Sequence, residues 1–472
     1  MKILNDSQHT IYLDDIDQYI PHSNEVQEID TDIVKRSRSF RSVVLNRKIK
    51  VISYDENEKV ESSLMYLLNK TRTEPDAITS SDDMEDRPLI SAASDKLEVK
   101  FHGLFYDASG YAKVNRNVAL KLQESGISVR ISPKQSQTNL DTSGLQSLVA
   151  LEKTPIAKNH ILIDSVIPSF GEMGSGRYKI LYTTVESYSL QDPFLTACRG
   201  YEEIWATSDW AVSILKKYIK DIPIYAMHTG VDPILYTEEG DKFSFKPNIK
   251  DFVFIAVFGW SYRKGPDVLC KAYFDEFSSK DNVSLLIMSR YQSGKSRHHR
   301  EKIKEDIDKY MLDFPNKDLP HLVRFNQQVA EKDMPKLYRA CNAYISTTRG
   351  ESFGLPQFEA SLCGLPIIMT NCSGQQGYLR PDNSYMIEID RVAPVPPGKF
   401  HIHYWDGHDF PQLTSPEVHS QVKQAMRSVY ENYNEAKERN KNLQKLIFEQ
   451  FTWTRTANDI IKRLKEIKLK LG

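Results

Sequence analysis

Arg349-Gly-Glu-Ser-Phe-Gly-Leu-Pro-Gln-Phe-Glu-Ala360 follows the apolar run Asn342-Ala-Tyr-Ile-Ser346 and precedes another, Pro366-Ile-Ile-Met-Thr370. Two short buried strands separated by a glycine turn and a helix make a strand–helix–strand unit of a parallel sheet. Gly354 permits close backbone approach to a ligand, and Pro356 suits the first turn of the helix. A strand, a glycine turn and a helix start together form an anion site, because unpaired N–H groups and the helix dipole point at the ligand. Glu351 lies before that helix and Glu359 within its first turns, so two carboxylates flank the site.

The same texture extends in both directions. Upstream, Phe252–Phe258 and Val283–Met288 are apolar strands on either side of a helix over Pro266–Phe277. Earlier still come strands at Leu97–His102, Ile127–Ile131, Ile161–Ile163, Lys179–Tyr182, Glu203–Thr207 and Pro223–Met227, with an amphipathic helix over Val114–Gly126. Short apolar strands alternating with helices imply mainly parallel sheets covered on both faces. The pattern restarts between Asp232 and Asp251, which predicts two doubly wound, Rossmann-like α/β domains in tandem, over 97–235 and 236–437. Residues 418–471 are helical in pattern, and 438–472 are expected to close the chain against the first of these domains.

Residues 1–70 read as a small α+β extension, with strands at Thr10–Leu13 and Ile49–Ser53 around a helix over Asp32–Leu45. Residues 71–96 are polar, acidic and poor in aromatics, the composition of a flexible linker.

The 472 residues are 40% hydrophobic, ample for packed cores, and the formal charge of -1 gives no global basic field of the kind that attracts nucleic acid. The five cysteines are scattered and never form C-x-x-C, which argues for reduced thiols over a disulfide framework or a zinc site. With no signal-peptide core at the start and no apolar window of transmembrane length, a soluble cytoplasmic protein without stable membrane insertion is expected.

Glu351 and Glu359, seven residues apart around Ser-Phe-Gly-Leu-Pro, resemble the E-x7-E motif of retaining GT-B glycosyltransferases, specifically the GT4-like (glycosyltransferase group 1) family. The resemblance covers about residues 97–465 and implies two Rossmann-like domains facing a cleft. It implies that Glu351 lies beside the transferred sugar and that Glu359 hydrogen-bonds the ribose hydroxyls. Ser352, Phe353, Gly354 and Leu355, together with Gly259 and Gly110, are implied in donor binding. Phe258-Gly-Trp-Ser-Tyr-Arg-Lys-Gly-Pro-Asp-Val-Leu269 is similar to the family's strand–loop–helix carrying a basic pair before glycine. There Lys264 and Arg263 would neutralise the charge growing on a diphosphate leaving group. Many relatives place an arginine straight after the first glycine of this loop; Trp260 holds that slot here in a shorter loop, a departure from the family pattern for which Arg263 is the candidate substitute.

Weaker resemblances place Asn326–Val329 and Ser289–Tyr291 near the nucleotide base, and Glu186, Asp164 and Tyr111 on the acceptor side. Met227-His-Thr-Gly-Val-Asp232 reads as a structural turn ending the first domain, and His102 as structural. The implied reaction moves a sugar from a nucleoside diphosphate, UDP or GDP, to an acceptor hydroxyl with retention, by front-face attack or through a covalent intermediate. No cofactor or bound metal is expected. The acceptor class stays open among glycan, lipid, protein and modified nucleic acid. The alternative is a non-catalytic sugar-nucleotide or glycan-binding protein of the same fold. Residues 1–70 are expected to serve as a tether or oligomer contact.

Overall fold

The computed structural model describes residues 97–134, 145–168, 174–245, 249–291, 296–325, 329–396, 398–399 and 406–472, together with five short strands between residues 2 and 53. The expected helix Asp32–Leu45, the linker 71–96 and residues 326–328 lie outside the described residues, as do the side chains of Arg290 and Tyr291. The chain divides into two compact units, Met1–Asp95 with Asp232–Asp241, and Lys96–Val231 with Lys242–Gly472. In the first, strand Lys2–Leu4 pairs antiparallel with Gln27–Glu28 and Lys50–Ser53, and Ile11–Leu13 forms a hairpin with Gln18–Ile20.

The second unit holds two six-stranded sheets, parallel throughout. One runs in the order Ile224–Ala226, Glu203–Ala206, Tyr178–Thr183, Ile161–Ser165, Glu98–Gly103, Ser128–Pro133. Its first and third strands in sequence are therefore neighbours, and there the winding reverses. The other runs His321–Phe325, Val283–Tyr291, Phe252–Trp260, Ala343–Ser346, Ile367–Thr370, Tyr385–Ile387, and reverses between Phe252–Trp260 and Ala343–Ser346. In open parallel sheets a ligand crevice forms outside the strand carboxyl ends at such a reversal, because the loops on its two sides diverge. Both sheets belong to the GT-B arrangement of two Rossmann-like domains.

The central strands are apolar on both faces because helices cover both: Ile161–Ser165 and Ala343–Ser346 are buried at every position. The last helix, Trp453–Leu471, is amphipathic, and it buries Trp453, Ile460, Leu464 and Ile467 in the core of the first sheet. Its apolar face is therefore used inside the fold. Arg463 of that helix locks onto buried Glu203 through two bonds of 2.9 and 2.6 Å. Among the described residues no helix is long and apolar enough to cross a membrane.

One boundary moves in a way that matters. The expected helix from Val114 begins at Gly110, because the Ser109 hydroxyl caps it by accepting from Ala112 N. Gly110 through Lys113 are thus its first turn rather than a loop.

Candidate active site

The turn after strand Phe252–Trp260 is a single 3-10 turn, Tyr262–Lys264, closed by Gly265 in the left-handed region at φ 67°. Glycine is required there twice over, since a Cβ would also overlap the Thr347 carbonyl oxygen. This turn is stitched to the segment leaving Ala343–Ser346. Arg349 N donates to Arg263 O at 2.6 Å, Thr347 Oγ1 to Gly265 O at 2.7 Å and Thr348 Oγ1 to Arg263 O at 3.2 Å. Beneath it the fully buried Arg349 guanidinium grips both Asp267 oxygens at 2.9 and 2.8 Å, donates to Tyr262 O at 2.7 Å and lies 3.9 Å from the Tyr262 ring centre.

That framework sets the charges. Lys264 Nζ bonds Glu351 Oε1. Arg263, buried, stands 3.6 Å from Glu351 Oε2 and 3.0 Å from Glu186 Oε1 of the first sheet's domain. Burial alone would raise the Glu351 carboxyl, but Lys264 and Arg263 beside it hold it below its ordinary value. Burial, and then the neighbouring Arg263 charge, push the Lys264 ammonium below the usual lysine value despite Glu351 and Glu186. Two adjacent cations are thus held at a topological reversal against Glu351 and Glu186, with Arg263 also donating to Gly350 O, and a dianion entering there would relieve their mutual repulsion.

Glu351 is fixed by residues that sequence reasoning did not single out. Its N–H donates to Ser373 Oγ at 2.9 Å, and its carbonyl accepts from Gly374 N at 2.8 Å. A Cβ on Gly374 would overlap the Ser352 carbonyl oxygen, and Ser373 sits at φ 52°, a strained conformation for a non-glycine residue. Ser373 N in turn donates to Tyr188 OH at 2.9 Å. The available signal was Cys372-Ser-Gly-Gln-Gln-Gly377, a polar, glycine-bearing run straight after a strand.

Glu359, on helix Pro356–Leu362, takes Lys113 Nζ on Oε1 at 2.6 Å and the Tyr338 hydroxyl on Oε2 at 3.1 Å. Lys113 also pairs with Glu331 at 3.1 Å, and Glu331 with Arg116 at 3.0 Å. These partners too were absent from the sequence reading, because residues 246 positions apart carry no spacing signal.

Residues 249–393 match the family described as Glycosyl transferases group 1. They form a group 1 glycosyl transferase domain. Among curated proteins the chain is 22% identical over 160 residues to D-inositol 3-phosphate glycosyltransferase 1 of Catenulispora acidiphila, covering 33% of this chain and 37% of that one. It is 23% identical over 191 residues to an uncharacterized protein of Sulfolobus islandicus rod-shaped virus 1, covering 37% of this chain and 46% of that one. The match therefore spans less than half the length of either relative. Among solved structures, sucrose-phosphate synthase of Thermosynechococcus elongatus superposes with a TM-score of 0.56 at 14% identity, over 79% of this chain and all of that one. The Anabaena HepE protein in complex with UDP and glucose gives 0.50 at 12% identity, over 78% and 99%.

Within the group 1 glycosyl transferase domain the other predicted residues take varied places. Ser352 is buried and directs its hydroxyl to the first sheet's domain, accepting from Val185 N at 3.1 Å and pairing with Thr207 Oγ1 at 2.6 Å. Phe353 is buried in an aromatic cluster with Phe358, Tyr378 and Phe451. Leu355 packs on the core of the first sheet. Gly354 is required by its φ of 93°, and the close approach it permits is made by the domain's own Gln357 side chain. Gly259 lies within strand Phe252–Trp260, and the Trp260 indole is buried, donating to Asp306 at 2.9 Å.

Facing this domain, Gly110 opens its helix with empty space where a Cβ would stand. The Tyr111 hydroxyl holds Thr184, with Oγ1 at 2.7 Å and N at 3.1 Å, bracing the loop that carries Glu186. Asp164 has no exposed surface; its oxygens are taken by His102 at 2.9 Å and Tyr201 at 2.6 Å, so it supports those side chains and does not face solvent. His228 pairs with Asp209 at 2.9 Å and packs edge-on against Phe451.

Proposed function

We propose that the chain is a retaining glycosyltransferase, moving a hexosyl or pentosyl group from a nucleoside-diphosphate sugar to an acceptor hydroxyl. The observation that carries this is the Lys264–Arg263 pair held against Glu351 at the reversal of the group 1 domain's sheet. When the glycosidic bond to the diphosphate breaks, one further negative charge grows on a leaving group that already carries two. Lys264 and Arg263, preorganised and partly desolvated, stabilise that charge more in the transition state than in the ground state. As they turn to the diphosphate, Glu351 is released to accept a hydrogen bond from the sugar. Glu359 accepts from the ribose hydroxyls. Glu186, on the opposite wall, keeps Arg263 in place before the donor arrives and stands on the side from which an acceptor would enter. UDP and GDP are the nucleotides proposed, and the countercharge comes from side chains without a resident metal.

The test is a thermal-shift screen of the full chain against UDP-, GDP-, ADP- and TDP-sugars. A donor at a hundred times its dissociation constant adds about 2.7 kcal/mol of stability, a shift of several degrees. The shift should vanish in Lys264→Met. A protein indifferent to all four nucleotides would falsify the proposal, and binding without turnover would leave only a sugar-nucleotide-binding protein.

A further inference from the structure

We infer that Lys113 is a positioning residue for the donor ribose, holding Glu359 so that it selects a ribonucleotide over its 2′-deoxy counterpart. This rests on the assignment of Glu359 to the ribose in the preceding section. An ionised carboxylate offers about four acceptor positions, two on each oxygen. In Glu359 one position on Oε1 is filled by Lys113 and one on Oε2 by Tyr338, leaving an acceptor on each oxygen. That is the arrangement a vicinal diol satisfies, with one hydroxyl donating to each oxygen.

Lys113 provides the countercharge that offsets the cost of burying Glu359, whose side chain is only 6% exposed. Its own position is imposed from behind. Glu331 pairs with both Lys113 and Arg116, and Arg116 is buried, donating to the carbonyls of Phe105 at 2.8 Å and Asp107 at 2.9 Å. Burial would raise the Glu331 carboxyl, yet Lys113 and Arg116 bring it below its usual value. The carboxylate that reads the diol thus belongs to one Rossmann-like domain and its countercharge to the other. Ribose recognition is complete only when the two domains meet.

The experiment measures binding of UDP, 2′-deoxy-UDP, GDP and 2′-deoxy-GDP to the full chain by titration calorimetry, in wild type, Lys113→Met, Lys113→Arg and Glu359→Gln. Wild type and Lys113→Arg should favour the ribonucleotide by about tenfold or more, the worth of one hydrogen bond to a charged group. Lys113→Met should narrow that preference to below about threefold, as Glu359→Gln does. If Lys113→Met proves unfolded by circular dichroism, Lys113→Met combined with Glu331→Gln, which rebalances the charge, replaces it. A merely structural Lys113 would weaken both members of each pair equally and leave the ratio unchanged, which overturns the inference. So does a wild type that binds UDP or GDP with no ribose preference, while the donor assignment itself survives. Failure of wild type to bind any of the four nucleotides removes both.

Discussion

The two six-stranded sheets share an architecture and differ in what stands at their carboxyl ends. In the second, the reversal point carries two cations and a carboxylate on turns locked by buried Arg349 and its partner Asp267. In the first, the corresponding ends present hydroxyls, carboxylates and an imidazole (Tyr111, Thr184, Glu186, and His102 backed by Asp164), with Lys113 in the first turn of the helix that carries Tyr111. The fold places a crevice in both, but among the described residues the paired cations Arg263 and Lys264 stand at the second. That site is also not self-sufficient: the first domain gives Glu186 to Arg263, Tyr188 to Ser373 and Lys113 to Glu359. The paired cations sit in one domain while much of their restraint comes from the other.

The sharpest way to break this contrast is Arg349→Met. It leaves half-buried Asp267 without its partner and should destabilise the protein by about 3 kcal/mol, read from denaturant melts. Activity lost in the surviving fold would show how far the turn depends on this pair. Next, Glu351→Gln and Lys264→Met should each lower turnover by about a hundredfold to a thousandfold in a protein still folded by circular dichroism. Near-normal turnover in both would place the reactive centre elsewhere.

A pH series refines the role of Lys264. Because burial and Arg263 depress its pKa, and a diphosphate dianion would raise it again, donor binding takes up a proton. Donor affinity should therefore fall as pH rises through the depressed Lys264 value toward the ordinary lysine range, and Lys264→Arg, charged throughout, should flatten the profile. An unchanged slope in Lys264→Arg would remove Lys264 as its origin.

On the first domain's side the effects shrink. Glu186→Gln should cost about tenfold in kcat/KM by loosening Arg263. Tyr111→Phe, which removes one hydroxyl bracing Thr184, should cost about 1 kcal/mol of stability with donor affinity unchanged. If Tyr111→Phe proved the more damaging of the two for catalysis, the division of labour between the domains would have to be reversed.

Much of this was legible before any coordinates. Runs such as Phe252–Phe258 and Ile161–Ile163 announce strands buried on both faces, because a parallel sheet covered by helices has no solvated face to alternate with. Lys264, Glu351 and Glu359 were visible as chemistry, since a basic pair at a helix start and a carboxylate beside a glycine turn are costly without a ligand or partner. Their supports were not. Ser373 and Gly374 hold Glu351 through backbone bonds that any residue type can make, and Lys113 meets Glu359 across most of the chain's length. Inside the most recognisable stretch the Ser352 and Phe353 side chains are engaged in packing, a use that a local pattern does not reveal.

By itself, then, the amino-acid sequence determined the alternation of strands and helices, the two-sheet architecture and the identity of the charged groups, because these follow from periodicity and local backbone chemistry. Only the tertiary structure decided which charges neutralise one another. Electrostatic pairing falls off over a few ångströms in space, and the distance between Lys113 and Glu359, or Glu186 and Arg263, is set by how two sheets pack and not by their separation along the chain.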